Sequence, residues 1–250
     1  MPIYKVNAIV LRRSDLGETD RILRLLTREA GRVDAVAKGA RRGTSRFSGA
    51  TELFTHSRML LATGKSLDVL SQCEIRESFP GLRGGLSTIA RATYLCELVD
   101  RMMEEREPNP EIFDLLLSAL YLLQRAQNNA DVIVHSFELH LLSERGYRPE
   151  LVRCVRCERA VENSAAFSPS LGGVLCAGPA ESADDSIEIK QHTLFLLRNL
   201  LAVEPEELIQ LSPDPNALQE AARCLKWYIR YRAERDLRSA ELVEMLRVAE

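Results

Sequence analysis

Two clusters in this sequence combine residue types and spacings that do chemistry. Lys38, Arg41, Arg42 and Arg46 set four cations within nine residues, and Gly39 and Gly43 flank Ala40-Arg41-Arg42. Cations attract phosphate, and glycine lets backbone N–H groups approach it, so a nucleic-acid backbone is a natural ligand for this loop. It is not a Walker A loop: three residues separate the glycines where four are needed, and no Gly-Lys-Ser/Thr follows. Arg12, Arg13, Arg21 and Arg24 add charge nearby. Each of these four alone reads as a polar position on the solvent face of a strand, but Arg12 and Arg13 are the expected extension of the loop's contact. Tyr4, Phe47 and Phe54 are the aromatics at hand to stack bases, though core packing is the stronger claim on each.

The second cluster is Cys154-Val155-Arg156-Cys157, followed by Cys176 after 18 intervening residues. Two Cys-x-x-Cys pairs at such spacing close a zinc tetrahedron and give a small loop something to fold on. Here Pro179 occupies the fourth place. His192 is a distant substitute, and Asp184 and Asp185 are poorer ones, so the expectation is a degenerate, three-cysteine element, a weakened site at which zinc is possible but not required. A redox role for Cys154 and Cys157 needs a βαβ setting that the flanking sequence lacks. Cys73, Cys96 and Cys224 stand alone in apolar-periodic segments, where cysteine behaves as a small buried hydrophobe.

No catalytic constellation emerges, and no enzyme is expected. Ser45, Ser71 and Ser143 lack nucleophile-elbow glycines, and His56, His135, His140 and His192 show no HExxH spacing. The pairs Glu104-Glu105 and Asp184-Asp185 read as solvated faces. Near the C-terminal end, Arg223, Lys226, Arg230, Arg232 and Arg235 interleave with Trp227, Tyr228 and Tyr231. An amphipathic helix packing its rings inward and snorkelling its cations outward is the favoured reading there over a binding surface.

The elements that must position these residues follow from composition and period. The 250 residues carry 33 Lys+Arg against 36 Asp+Glu and are 46% hydrophobic, which describes a globular chain. The charge is uneven: residues 1–50 hold 11 cations and 5 anions, a surplus of +6, leaving −9 for the remainder. No apolar run reaches the roughly 18 to 20 residues of a membrane span, and the start MPIYKVNAIVLRR lacks a signal-peptide pattern, so a cytoplasmic protein is expected.

Alternation over Ile3–Leu11, with Tyr4, Val6, Ala8 and Val10 on one face, predicts a strand stopped at Ser14–Gly17. Runs over 21–27, 32–38, 56–62 and 67–75 predict four more. About five short strands in some 75 residues suggest a small barrel, since a flat sheet of that size leaves two raw edges. After the Pro80-Gly81 and Gly84-Gly85 breaks the period turns helical over 89–103, 112–123, 132–142, 190–203, 216–237 and 240–248. The stretch 150–186 shows no period. The division is therefore a barrel at 1–80, a helical domain at 81–150 and 187–250, and an inserted loop at 151–186.

Three blocks of residues resemble the bacterial recombination mediator family RecO. They are Ala8–Leu11 with Gly17-Glu18-Thr19-Asp20-Arg21-Ile22-Leu23 running to Gly31-Arg32; Ala37-Lys38-Gly39-Ala40-Arg41-Arg42 with Ser45-Arg46-Phe47; and Leu141–Pro149 leading to Cys154–Cys157, Phe167-Ser168-Pro169 and Gly172–Cys176. The resemblance implies an α+β architecture, with an N-terminal OB-fold, a helical domain and a zinc-finger-like insertion. It also implies a non-catalytic, nucleoid-associated mediator of repair and recombination. Such a protein binds single- and double-stranded DNA, anneals complementary strands, works with RecR, contacts the acidic tail of the single-strand-binding protein SSB and helps RecA to load. For that tail, Arg91, Arg101, Arg125 and Arg153 are candidate rim cations on the helical domain. Pro179 departs from the family's fourth cysteine. The alternative is an interaction scaffold whose basic N-terminus binds an acidic protein.

Overall fold

Alternating side chains along β1 (Ile3–Leu16) send Val6, Ala8 and Val10 into a closed interior, where they meet Leu23, Leu25, Val33, Ala35, Met59, Leu61 and Leu70. These come from β2 (Asp20–Thr27), β3 (Gly31–Ala37), β4 (His56–Ala62) and β5 (Asp68–Glu77). The computed structural model describes residues 2–126, 128–163, 165–176, 183–233 and 237–249. Its N-terminal strands form a closed five-stranded barrel in the order β1-β2-β3-β5-β4, an OB-like architecture.

β1 is longer than its pattern predicts. It pairs with β4 through its first half, Ile3↔Ala62 to Ile9↔His56, and with β2 through its second, Ala8↔Thr27 to Leu16↔Asp20. A register shift between Val10 and Arg12 breaks the alternation, so the strand's continuation through Ser14 is visible only in its pairing. The circle closes between β3 and β5, which run parallel and share two rungs, Ala35↔Asp68 and Val36↔Val69.

Asp68 sits at that closure, fully buried. Its carboxylate accepts the Tyr4 hydroxyl, the Arg106 guanidinium at 2.9 and 3.0 Å, and the Gly64 N–H at 3.1 Å. Burial works against the charge, but these donors outweigh it and hold Asp68 below the usual carboxylate range, while burial and the Asp68 contact push Tyr4 up to about 12.

The first compact unit spans Met1–Gln124 and Arg238–Glu250, so it extends past the barrel's end near residue 80. The reason is packing. Helix α1 (Leu86–Met102) lies on β1, and its buried Asp100 takes Arg24 from β2 at 3.2 Å and Arg32 from β3 at 3.1 Å. The segment before α2 (Pro110–Leu123) is no loose linker. Arg106 N–H donates to the Arg32 carbonyl at 3.0 Å, and Gly31, at φ +69°, lies against the Glu107 backbone. Asn109 then caps α2 by accepting the Ile112 N–H at 2.9 Å. Helix α6 (Arg238–Ala249) packs on α1, where Glu97 accepts the Ser239 N–H at 2.9 Å.

The second unit, Arg125–Leu237, holds α3 (Ala130–Glu144), α4 (Gln191–Ala202) and α5 (Pro215–Ala233), packed on one another. Between α3 and α4 the chain forms an antiparallel sheet, in the order β7-β6-β8, from β6 (Ala165–Ser168), β7 (Gly173–Cys176) and β8 (Ile187–Ile189). Strands of three or four residues are too short to display a period, which is why 150–186 reads as aperiodic. Among the described residues no helix is long and apolar enough to cross a membrane.

Two substitutions test this frame. Asp68→Asn leaves Arg106 and Tyr4 without their anion and is expected to cost about 2–3 kcal/mol in urea unfolding at pH 7. Because the folded-state carboxylate is depressed, the gap to wild type is full above the unfolded value near 4 and narrows as pH falls through the folded one. Gly31→Ala sets a Cβ 2.2 Å from the Glu107 carbonyl at a left-handed φ, and a loss of about 2 kcal/mol or more is expected in the same assay.

Candidate nucleic-acid interface and cysteine cluster

The basic loop is pinned at both ends by apolar anchors. Ala40 and Phe47 belong to the barrel's core, 1% and 7% exposed, so Lys38, Arg41, Arg42 and Arg46 between and beside them project outward, and all four are exposed. Successive turns set the backbone: Arg42 N–H to the Gly39 carbonyl at 3.2 Å, then Ser45 N–H to the Arg42 carbonyl at 2.9 Å. Sequence reasoning missed the residue that seats this loop. Asp20, at the start of β2, accepts the Gly39 N–H at 2.8 Å and the Thr19 hydroxyl at 2.8 Å, while Arg41 N–H donates to the Thr19 carbonyl at 2.9 Å. These donors, with the charges of Lys38 and Arg42, lower the Asp20 pKa. Its signal lay in the Gly17–Leu23 block, which carried the family resemblance but gave Asp20 no role of its own.

The loop spans one end of the barrel. Arg41 reaches the Gly17 carbonyl at 2.8 Å and Asp15 at 3.4 Å on the β1–β2 side, and Arg46 reaches the Ser71 carbonyl at 3.2 Å on β5. The Gly39 N–H is spent on Asp20 and is not free for phosphate, whereas open space surrounds Gly43.

The surplus of cations in residues 1–50 is largely drawn off. Arg13 and Arg21 share Glu52, Arg24 pairs with Asp34 at 2.7 Å as well as Asp100, and Arg28 pairs with Asp114 at 2.8 Å. Arg12 is exposed, while Arg13 is half-buried against Glu52. Among the described residues, Arg12, Lys38, Arg42 and Arg46 have no carboxylate within ion-pair distance. The candidate stacking rings are committed elsewhere: Phe47 and Phe54 are buried, and Tyr4 is bound to Asp68. Among the described residues, the barrel end therefore presents exposed cations and no exposed aromatic ring.

Cys154, Cys157 and Cys176 come together in the second unit, their Sγ atoms all within 4.8 Å of one another. The Cys-x-x-Cys turn is closed by Cys154 N–H to the Arg159 carbonyl and Glu158 N–H to the Cys154 carbonyl, at 2.9 and 2.8 Å. It docks on β7 through Val155 N–H to the Val174 carbonyl at 2.9 Å, with Gly173 so close to Glu150 and Val155 that a side chain there has no room. Burial raises the Cys154 thiol, but N–H groups of Cys157, Cys176 and Arg156 outweigh it and bring it to about 7, whereas the Cys157 contact pushes Cys176 to about 11.

Zinc holds thiolates at about 2.3 Å and so spaces its sulfurs by about 3.8 Å, which fits three thiols this close. Among the described residues no fourth ligand joins them. Asp185 is occupied by the Ser168 hydroxyl at 2.7 Å and the Ser170 N–H at 2.8 Å, and His192 stands 3.9 Å from Asp214. Pro179, and with it the expected place of a fourth ligand, lies outside the described residues, as does Arg235.

A cleft of about 430 Å³ lies beside this element, with Arg148, Arg153 and Arg198 among its lining and Val152 and Leu201 as apolar neighbours. Of the expected rim cations, Arg153 borders it. Arg91 is buried on α1 and Arg101 lies 3.9 Å from Glu97, both in the first unit, while Arg125 is exposed.

Comparison with known proteins agrees with this architecture. Residues 1–79 match the family model described as Recombination protein O N terminal, and residues 83–241 match Recombination protein O C terminal. A curated relative from Symbiobacterium thermophilum, named DNA repair protein RecO, is 41% identical, covering 100% of both chains. Proteins of the same name from Pelotomaculum thermopropionicum and Heliobacterium modesticaldum are 41% and 37% identical over 96% and 98% of this chain, and 93% and 90% of theirs. With both halves of its length matched in order, the chain belongs to the RecO family of DNA repair and recombination proteins.

Proposed function

We propose that this chain is a non-catalytic mediator that binds single- and double-stranded DNA through the barrel's basic loop and anneals complementary strands. The observation that carries this reading is the loop's construction: cations between and beside two core residues, seated by Asp20 and, at Lys38, Arg42 and Arg46, free of carboxylate partners. Arg12 extends the contact, and Arg13 contributes through its half-exposed flank beside Glu52. The cationic surface neutralises two phosphate backbones and lowers their repulsion, while base pairing supplies specificity, so no nucleotide hydrolysis is needed.

The partners implied by the family resemblance complete the reading: RecR as co-mediator, RecA as the protein loaded, and SSB. An acidic, apolar-tipped SSB tail is assigned to the cleft bordered by Arg148 and Arg153, where Glu150 also lines the wall and Arg198 holds the Leu151 and Val161 carbonyls, a peptide-in-groove contact on the second unit. The working division is the barrel at 1–80 for DNA, the helical residues 81–150 and 187–250 for proteins, and the element at 151–186 as a structural insert. The site of action is the cytoplasmic nucleoid.

Cys154, Cys157 and Cys176 would hold a zinc ion as three of its ligands. Bound there, zinc supplies a structural crosslink between the Cys-x-x-Cys turn and β7. Packing of Val155 and Gly173 already joins the same two segments, so DNA binding does not depend on the metal.

Complementary SSB-coated oligonucleotides are expected to anneal without ATP. The combined Lys38→Glu, Arg41→Glu, Arg42→Glu and Arg46→Glu variant should lose this while keeping its circular dichroism spectrum. Single-strand affinity should fall with log salt at a slope of about −3, from four contacts at about −0.7 each. A salt-insensitive interaction, or no annealing by either protein, points instead to the scaffold reading, whereas annealing retained by the variant removes the DNA contact from this loop. For the cysteines, titration with Co(II) is expected to give a thiolate charge-transfer band that Cys176→Ser weakens, while a chelator leaves annealing unchanged. Absence of the band would remove the metal from the account.

A further inference from the structure

The stripe of cations and rings on α5 does not pack inward as a whole. Cys224, Leu225, Tyr228 and Ile229 face the interior of the second unit, but Trp227 is 46% exposed and Tyr231 51% exposed. With Arg223, Lys226 and Arg230, all exposed, they occupy helix positions i, i+3, i+4, i+7 and i+8, a single outward face. The favoured reading of this segment as rings packed inward therefore holds for Tyr228 and fails for Trp227 and Tyr231. A tryptophan and a tyrosine left half in water amid cations run against the tendency to bury such surface.

Tyr231 is also held in place. The Arg232 guanidinium lies 5.3 Å from the Tyr231 ring centre and at 5.1 and 5.3 Å from those of Tyr228 and Tyr147, while Tyr228 is tied to the Tyr147 carbonyl at 2.9 Å. A ring fixed by cation–π contact loses little freedom when it meets a ligand.

We infer that this face of α5 is a stacking platform for single-stranded nucleic acid, separate from the barrel's basic loop. The chemistry divides between the two units: the barrel end has unpaired cations and no exposed ring, whereas α5 joins rings to cations. Planar rings flanked by cations are what unpaired bases and their phosphates need, and duplex bases, already stacked on both faces, have none to offer. Trp227 and Tyr231 are one helical turn apart, about 6 Å along the axis, wider than the 3.4 Å rise of stacked bases, so the platform takes a stretched strand. This inference rests on the reading of the chain as a DNA-binding mediator and adds a second strand site to it.

Trp227 is the chain's one tryptophan, so its emission reports this site alone. The full chain is titrated with a fluorescein-labelled oligo-dT of about 20 nucleotides, following label anisotropy and tryptophan emission together. Emission is expected to be quenched in step with binding, and quenching should persist in the variant carrying Glu at 38, 41, 42 and 46, at weaker affinity. The double variant Trp227→Ala, Tyr231→Ala should bind about tenfold more weakly or worse, and Trp227→Phe within about threefold of wild type. If the oligonucleotide binds while emission stays unmoved and the alanine variant binds as wild type does, the platform falls and the barrel reading stands. If anisotropy never rises, both fall. Quenching by a poly-glutamate peptide and not by oligo-dT would reassign the face to an acidic protein and overturn the inference.

Discussion

The barrel closes through its shortest pairing, and one buried carboxylate stands at that seam. β3 and β5 share only two rungs, too few to hold a cylinder by ladder hydrogen bonds alone, and Asp68 at the first rung gathers Tyr4 from β1, Arg106 from the segment after α1 and the Gly64 N–H. Three separate stretches thereby meet at one anion. A buried charge is tolerable only with its donors in place, so those stretches are obliged to adopt one arrangement. Arg106 in turn donates to the Arg32 carbonyl, and Arg32 reaches Asp100, which extends the same constraint to α1.

A barrel filled by its own side chains has no interior to offer a ligand, which moves recognition to its ends. The loop after β3 lies at one such end. Ala40 and Phe47 plug the core, and the chain between them turns outward, so Arg41, Arg42 and Arg46 reach solvent as a consequence of two apolar anchors, with Lys38 exposed just before the first. Asp20 sets where that loop lies. A carboxylate amid candidate phosphate contacts weakens the field there, yet without it the Gly39 N–H loses its partner and the loop one of its ties to β2.

The second unit applies the same economy differently. Its sheet of three- and four-residue strands has little core of its own, and the Cys-x-x-Cys turn is fastened to β7 both by backbone bonds and by the convergence of three thiols. Around it, α5 buries one flank and leaves rings among cations on the other. Cations without carboxylate partners and half-exposed rings among cations therefore reside on different units.

Much of this was legible in the sequence. Alternation located all five barrel strands, helical period located the six α-helices of the described residues, and the basic loop and the cysteine trio stood out by spacing, because each rests on local pattern. The fate of individual charges was not legible. Arg13, Arg24 and Arg28 look alike in the chain, yet all are bound to carboxylates, those of Glu52, Asp34 and Asp100, and Asp114, that lie ten to nearly ninety residues away. The strands of the insert were too short to show a period, and β1 ran past its expected stop because its second half answers to β2 across a bulge. The sequence by itself determined which segments are strand, helix or cationic loop, since side-chain period and turn residues act within a few positions. Only the tertiary structure decided which cations remain unpaired, which rings stay in water and which carboxylate seats the loop, since these depend on partners that meet only when the chain has folded.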